Sequence, residues 1–238
     1  TLADYRGMPV LEVGPGTGVL TRFLLDEGHQ LSVVELDTES IDVLRREFPA
    51  LDGKGRIIYD DFLKMKLDAL FDTKFCVTGN YPYNISSQIF FKVLEYREQV
   101  ICCSGMIQKE VAERLAAKPS SRNFGILAAL VQPWYDVEYL LTVEAEVFEP
   151  PPKVRSAVIR MRRNSRTALG CDETLYRTVV KTAFNQRRKT LRNSLNSLIP
   201  KQCPVMSQPL FGLRPEQIDV ERFIEITKIV ENYGNTNS

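Results

Sequence analysis

The chain has 238 residues, 44% of them hydrophobic and 26% charged, with a net charge of +1. It is long enough for one large or two small cores, and no apolar run approaches the 18 residues of a membrane-spanning helix. Five cysteines without a C-x-x-C pair and a single histidine, His29, argue against a disulfide framework, a bound metal and a histidine-based triad, and favour a reducing, cytoplasmic setting.

In chain order, Pro9 to Val13 is a short apolar run that ends in glycines and reads as a buried strand, followed by a helix over Leu20 to Glu27. His29 follows Gly28 and reads as a turn residue. Gln30 to Val34 is a second strand, and Ser40 to Phe48 a helix closed by Pro49. Gly55 to Tyr59 and Lys74 to Thr78 read as strands, Ser86 to Tyr96 as a helix and Val100 to Ile107 as a fifth strand. Strands alternating with helices argue for a parallel sheet covered on both faces. Gln108 to Ala116 and Gly125 to Gln132 look helical. Val137 to Val143 and Val154 to Met161 then form a β-rich pair, antiparallel and closing one edge of the sheet. After about Arg163 the chain reads as helices, which places a domain boundary near residue 165 and gives domains 1–164 and 165–238.

The turn after the first strand is Glu12-Val13-Gly14-Pro15-Gly16-Thr17-Gly18. Glycines there permit a tight turn and close approach of backbone to a ligand. A dinucleotide fingerprint wants glycine or alanine three residues after the second glycine, where this chain has Val19. The acid-x-Gly-x-Gly-x-Gly pattern suits S-adenosylmethionine better than NAD, with Glu12, Gly14, Gly16 and Gly18 at the cofactor. Glu35, 21 residues after Gly14, ends the second strand at the distance from which a carboxylate accepts both ribose hydroxyls. Of Asp60 and Asp61, which close the third strand, Asp61 is favoured as acceptor for an adenine amino group; both also suit a helix cap.

The fourth strand runs into Asn80-Tyr81-Pro82-Tyr83. A carboxamide, a rigid proline and a stacking ring together suit a flat, amino-bearing group of the adenine, cytosine or glutamine type. The Asn80 oxygen and a nearby main-chain carbonyl accept its amino hydrogens, and Tyr83 covers its face.

The near-neutral total charge conceals a division. Residues 1–150 carry 15 basic against 23 acidic side chains, and residues 151–238 carry 16 against 7. A basic segment on an acidic body suggests a polyanionic partner. Residues 183–195 project as a helix continuing an apolar side that begins at Tyr176. Arg177, Lys181, Arg188 and Arg192 then form a basic stripe with Arg187 and Lys189 beside it, suited to tracking phosphates. Lys153, Arg155, Arg160, Arg162 and Arg163 extend the patch.

Together these blocks resemble the ribosomal RNA adenine dimethyltransferases of the small subunit over nearly the whole chain. The residues that carry the resemblance are Glu12 to Gly18, Val34 to Asp37, Gly79 to Ser86, Gln108 to Val111, Phe148 to Val154 and Phe184 to Thr190. The resemblance implies a Rossmann-like class I methyltransferase sheet with a small helical C-terminal domain that binds rRNA. It implies methyl transfer from S-adenosylmethionine to the N6 atoms of two adjacent adenosines in the 3′-terminal hairpin of small-subunit rRNA, late in subunit assembly. The sequence leaves the oligomeric state open, and a monomer is the expectation. Asn80, Tyr83 and Phe148 would hold the base, and Asn80 would also touch the cofactor. Related alternatives are the 23S rRNA methyltransferase, a DNA adenine methyltransferase and a non-catalytic assembly factor. Relatives carry a basic segment with a Gly-Gln-x-Phe-Leu motif ahead of the first strand, which here begins near residue 9, so the chain reads as a shortened form.

Overall fold

A computed structural model describes residues 1–236. The chain divides into two compact units, one made of Thr1–Ala112 with Tyr135–Asn164, the other of Glu113–Trp134 with the residues from Ser165 onward.

The first unit is built on a seven-stranded sheet: β1 (Pro9–Val13), β2 (Gln30–Glu35), β3 (Ile57–Tyr59), β4 (Phe75–Asn80), β5 (Val100–Gln108), β6 (Tyr135–Val143) and β7 (Ser156–Arg163). Their order is β3-β2-β1-β4-β5-β7-β6. β1 to β5 run parallel, and β7 lies antiparallel between β5 and β6, as the β-rich pair at the sheet edge predicts. The central strands are buried along almost their whole length, which is why they read as continuous apolar runs rather than alternating ones. Helices α1 (Val19–Asp26), α2 (Thr38–Glu47), the single turn α3 (Pro49–Asp52) and α4 (Ser86–Glu95) supply the crossovers. Ile41 and Leu44 of α2 join Val10, Leu31, Val33, Phe48 and Ile57 in one apolar cluster. Asp37 caps α2, its carboxylate accepting from the Ser40 amide at 2.8 Å.

β4 and β5 meet with Gly79 opposite Gly105, and the ring of Tyr81 fills the space these two glycines leave. A Cβ on Gly105 would fall 2.4 Å from the Gly79 carbonyl oxygen and 2.6 Å from Tyr81 Cε2; one on Gly79 would fall 2.4 Å from the Val13 carbonyl oxygen. The Tyr81 hydroxyl donates to the Ser104 carbonyl at 2.8 Å, and Phe90 of α4 meets the ring edge-on at 6.0 Å.

The second unit contains α6 (Ile126–Val131), α7 (Glu173–Asn185), the single turn α8 (Leu191–Ser194) and α9 (Val220–Thr236); α5 (Lys109–Leu115) leads into it from β5. Phe184 packs against Phe124 at 6.1 Å and Phe223 at 5.7 Å, and the Tyr176 hydroxyl donates to the Ala129 carbonyl at 2.8 Å. These contacts explain a departure from a division at 164/165: residues 113–134 carry Phe124 and Ala129 into the second unit's own core. Between α8 and α9 the chain makes only short 3-10 turns, each opened by a proline (Pro204, Pro209, Pro215), which fixes φ but cannot extend a hydrogen-bonded ladder.

The continuous helix projected over residues 183–195 is not present. The chain leaves α7 at Gln186 and resumes helix only at Leu191, whose amide donates to the Leu213 carbonyl at 2.8 Å and so is withdrawn from the helical ladder. Tyr176, Val180, Ala183, Phe184, Leu191 and Leu195 are all buried as their spacing predicts, but the basic stripe is interrupted. Arg177 and Lys181 share α7, whereas Arg188 and Lys189 lie in the turn that follows it.

Gly105→Ala is expected to lower the unfolding free energy by about 1–3 kcal/mol, because the added methyl has backbone rather than a yielding side-chain tip in its way. Urea unfolding with an unchanged midpoint would show that the Tyr81 slot widens freely.

Candidate active site

The candidate site lies at the carboxyl ends of the parallel strands, where open α/β sheets bind ligands. Gly14, Gly16 and Gly18 all have positive φ, at 67°, 54° and 85°. Gly18 is also sterically required, since a Cβ there would fall 2.3 Å from the Phe48 ring. The Gly14 amide donates to the Val34 carbonyl at 3.0 Å, which ties the glycine turn to β2.

Glu35, at the end of β2, is held by three main-chain amides. Oε2 accepts from Gly16 at 3.1 Å, and Oε1 from Leu36 at 2.8 Å and Asp37 at 3.0 Å. A carboxylate offers about four acceptor directions, so one remains for a ligand hydroxyl. Glu12 behaves differently from a residue in direct contact with a ligand. It is 1% exposed, and its carboxylate accepts the Thr21 hydroxyl at 2.7 Å beneath the turn. Burial pushes its pKa up to about 7, the Thr21 hydrogen bond opposing and the nearby Glu35 charge adding. Asp61 is half-buried; Oδ1 accepts from the Leu63 amide at 3.0 Å and Oδ2 pairs with Lys64 at 3.3 Å, so the side chain takes the capping role that its position also suited.

Asn80, Tyr81, Pro82, Tyr83, Phe148, Glu149, Pro150 and Pro152 line a cavity of about 320 Å³. The structure therefore brings Asn80, Tyr83 and Phe148 together, though Phe148 is 65 or more positions away in sequence. The Glu149–Pro150 bond is cis. Asn80 is exposed while its neighbour Tyr81 is 1% exposed, so burial begins to alternate only where the strand enters the motif. The Pro82 carbonyl accepts from the Ile85 amide at 3.2 Å and keeps a second lone pair. The glycine turn adjoins this cavity, because a Cβ on Gly14 would lie 3.8 Å from Pro82 Cδ.

One contact was not legible in the sequence: the Tyr83 hydroxyl lies 2.6 Å from Oγ of Ser156, a fully buried residue at the start of β7. The serine thereby constrains the tilt of the Tyr83 ring. His29 lies in the turn between α1 and β2 and does not line the cavity.

Of the basic residues, Lys153 and Arg155 are exposed in the first unit, Arg155 facing Glu144 at 3.6 Å. Arg160 and Arg162 both pair with Glu138, and Arg163 pairs with Glu98 at 3.3 Å, so these three are committed to ion pairs within the first unit. In the second unit Arg177, Lys181, Arg188 and Lys189 are exposed, Arg192 Nε donates to the Met206 carbonyl at 2.7 Å, and Arg187 pairs with Glu216 at 3.8 Å.

The family described as ribosomal RNA adenine dimethylase matches residues 4–230. A protein named ribosomal RNA small subunit methyltransferase A, from Parabacteroides distasonis, is 63% identical over 98% of this chain and 87% of its own. The crystal structure of a dimethyladenosine transferase from Plasmodium falciparum superposes with a TM-score of 0.76 at 25% identity, covering 96% of this chain and 91% of that one. That of the 23S rRNA methyltransferase ErmE gives 0.65 at 26% identity, over 93% and 91%.

Glu12 holds its proton longer in the folded chain than in the unfolded one. Between its ordinary 4.5 and about 7 the folded state binds more protons, so stability falls as pH rises through that window. The loss amounts to at most about 3 kcal/mol. Glu12→Gln, which keeps an acceptor for Thr21, is expected to flatten this slope in urea titrations at a series of pH values; an unaltered slope would assign it to other groups. Tyr83→Phe is expected to cost about 1–3 kcal/mol of stability by orphaning the buried Ser156 hydroxyl, and adding Ser156→Ala to recover part of it. Additive losses in that double-mutant cycle would mean the two hydroxyls are not coupled.

Proposed function

The chain belongs to the ribosomal RNA adenine dimethylase family, and from that premise we propose that it methylates small-subunit rRNA: it transfers methyl groups from S-adenosylmethionine to the N6 atoms of two adjacent adenosines in the 3′-terminal hairpin, giving N6,N6-dimethyladenosine. The fold agrees, a Rossmann-like class I methyltransferase sheet with an antiparallel edge and a helical second unit. The relative named for the small subunit stands at 63% identity against 26% for the large-subunit enzyme, which favours small-subunit rRNA as substrate. The observation that carries the chemistry is the shared cavity of Asn80, Tyr83 and Phe148 beside the glycine turn.

The turn fits the cofactor. A Cβ on Gly16 would meet nothing within 4 Å, leaving open space over backbone that a ligand laid across it needs. Gly14, Gly16, Gly18, Glu35, Asp61 and Asn80 are the proposed contacts, with Glu12 acting from beneath through its charge. When bound, S-adenosylmethionine supplies an electrophilic methyl group on a positively charged sulfur.

The chain's own residues deliver the amine. An adenine amino group shares its lone pair with the ring and is a weak nucleophile. Hydrogen bonds from both amino hydrogens to the Asn80 side-chain oxygen and the Pro82 carbonyl favour a pyramidal nitrogen whose lone pair is free to attack. These bonds strengthen as positive charge builds on that nitrogen, so they act on the transition state more than on the bound base. The base must first leave its stack, at a cost of a few kcal/mol, and the Tyr83 and Phe148 rings offset this by covering its faces. The product ammonium is acidic enough to lose its proton afterwards, so the site needs no histidine. Lys153 and Arg155, with Arg177, Lys181, Arg187, Arg188, Lys189 and Arg192, are the proposed rRNA contacts. The substrate form is an immature small subunit, and the enzyme acts as a cytoplasmic monomer.

Asn80→Ala is expected to slow single-turnover methylation of unmethylated small subunits by roughly 10²–10³, the acceptor counterpart of removing one oxyanion-hole donor. Near-normal single turnovers in that variant would refute the role given to Asn80.

A further inference from the structure

The basic stripe is interrupted in the structure, but three guanidinium groups gather in the second unit. We propose that Arg122, Arg187 and Arg214 form a pocket that seats a phosphate of the RNA backbone, a second RNA site sharing no residue with the base-holding cavity; the proposal rests on reading the chain as an rRNA methyltransferase. The pocket measures about 550 Å³ and is completed by Ser120, Ser121, Glu216 and Gln217. Its arginines come from three distant stretches: the connection between α5 and α6, the turn after α7, and the residue before the 3-10 turn Pro215–Gln217.

Arg187 is fixed as a wall, donating to the Arg122 carbonyl and pairing with Glu216 at 3.8 Å. Among the described residues neither Arg122 nor Arg214 has a carboxylate within 4.0 Å. Three guanidinium groups against one carboxylate leave a concave surface with excess positive charge, which concentrates anions. A guanidinium fork matches two oxygens of one phosphate. The loop that carries Ser120 and Arg122 is held in an unusual conformation. Ser120 is the only non-glycine residue at positive φ (67°) among the described residues, and its amide donates to the Glu216 carbonyl at 2.7 Å. Such strain persists where surrounding contacts enforce it, and clusters at binding sites.

The lining also says which part of a nucleotide the pocket reads. The hollow exceeds a bare phosphate in size and falls within the range of small-ligand sites. Among the described residues no aromatic ring lines it, so a base would find only guanidinium planes to stack on. Its charge and hydroxyls favour phosphate and sugar, the sequence-independent part of RNA recognition.

The test measures anisotropy of a labelled transcript of the 3′-terminal small-subunit hairpin between about 50 and 200 mM salt. It compares the full chain, Arg122→Ala/Arg214→Ala, and a charge control, Arg45→Ala/Arg46→Ala, on the exposed face of α2. The pocket variant is expected to bind roughly tenfold more weakly or worse, with the log–log salt slope shallower by about one, and the control to move much less. Calorimetry with inorganic phosphate runs beside it: phosphate binding with unchanged RNA affinity in the pocket variant would assign the hollow to a free anion and overturn the proposal. Unchanged RNA affinity and slope without phosphate binding would overturn it equally. If the double variant melts early, Arg214→Gln alone, at an exposed position, carries the same readouts with an expected several-fold loss. Cofactor binding and methyl transfer by the unaltered chain are measured in parallel; their failure would count against the enzymatic reading while leaving the salt slope of the pocket variant interpretable.

Discussion

The geometry of the candidate site depends on one buried phenol. Tyr81 lies where β4 and β5 present glycine to glycine, its ring occupying volume that any side chain at residue 79 or 105 would claim. Its hydroxyl is bonded to the Ser104 carbonyl, and its amide donates to the Met106 carbonyl at 3.0 Å, so the ladder of the sheet runs one residue past the end of β4. Because extended backbone alternates sides, anchoring Tyr81 inward commits Asn80 and Pro82 to the open side. Asn80 and the Pro82 carbonyl, the proposed amine-binding groups, are thus aimed by the core of the sheet rather than by a loose loop, which is the kind of rigidity that pre-organised catalysis requires.

A second layer of order comes from the two acids that flank the glycine turn. Glu35 ties to it from its outer side through the Gly16 amide, its other oxygen being held by the amides of Leu36 and Asp37, while Glu12 supports it from inside through Thr21. The two differ in environment. Glu35 is half-exposed and well provided with donors; Glu12 is sealed off and has one. Burial without full compensation is what raises the Glu12 pKa, and it makes the turn sensitive to any positive charge that settles above it.

Much of this was legible in the sequence where the determinant is local. Continuous apolar runs separated by amphipathic stretches mark the parallel sheet, and the glycine turn and Asn80–Tyr83 announce themselves through residue type and spacing. Tyr81 is the exception inside a legible motif: residue type and spacing give it no role, yet it is the anchor, and the glycine at 105 that admits its ring is 24 positions away and carries no signal of its own. Ser156 was hidden for the same reason. The break in the basic helix was illegible because every residue from 183 to 195 tolerates a helix; the fold nonetheless closes α7 at Asn185 and commits the Leu191 amide to Leu213, tertiary context overriding propensity. The arginine pocket was beyond reach, since positions 122, 187 and 214 become neighbours only through the fold.

The second unit is also discontinuous, with Glu113–Trp134 emerging between β5 and β6 and the remainder starting after β7. A ribosome therefore emits the segment bearing Phe124 and Ala129 well before their partners Phe184 and Tyr176 exist. For that interval Phe124 and the rest of residues 113–134 wait without the packing partners that the folded chain gives them, while the strands that follow complete the sheet. Severing the polypeptide after Asn164 would make that waiting state permanent, so the sheet cannot be isolated as a clean fragment by a single cut; the intervening loop of 22 residues would have to be excised as well.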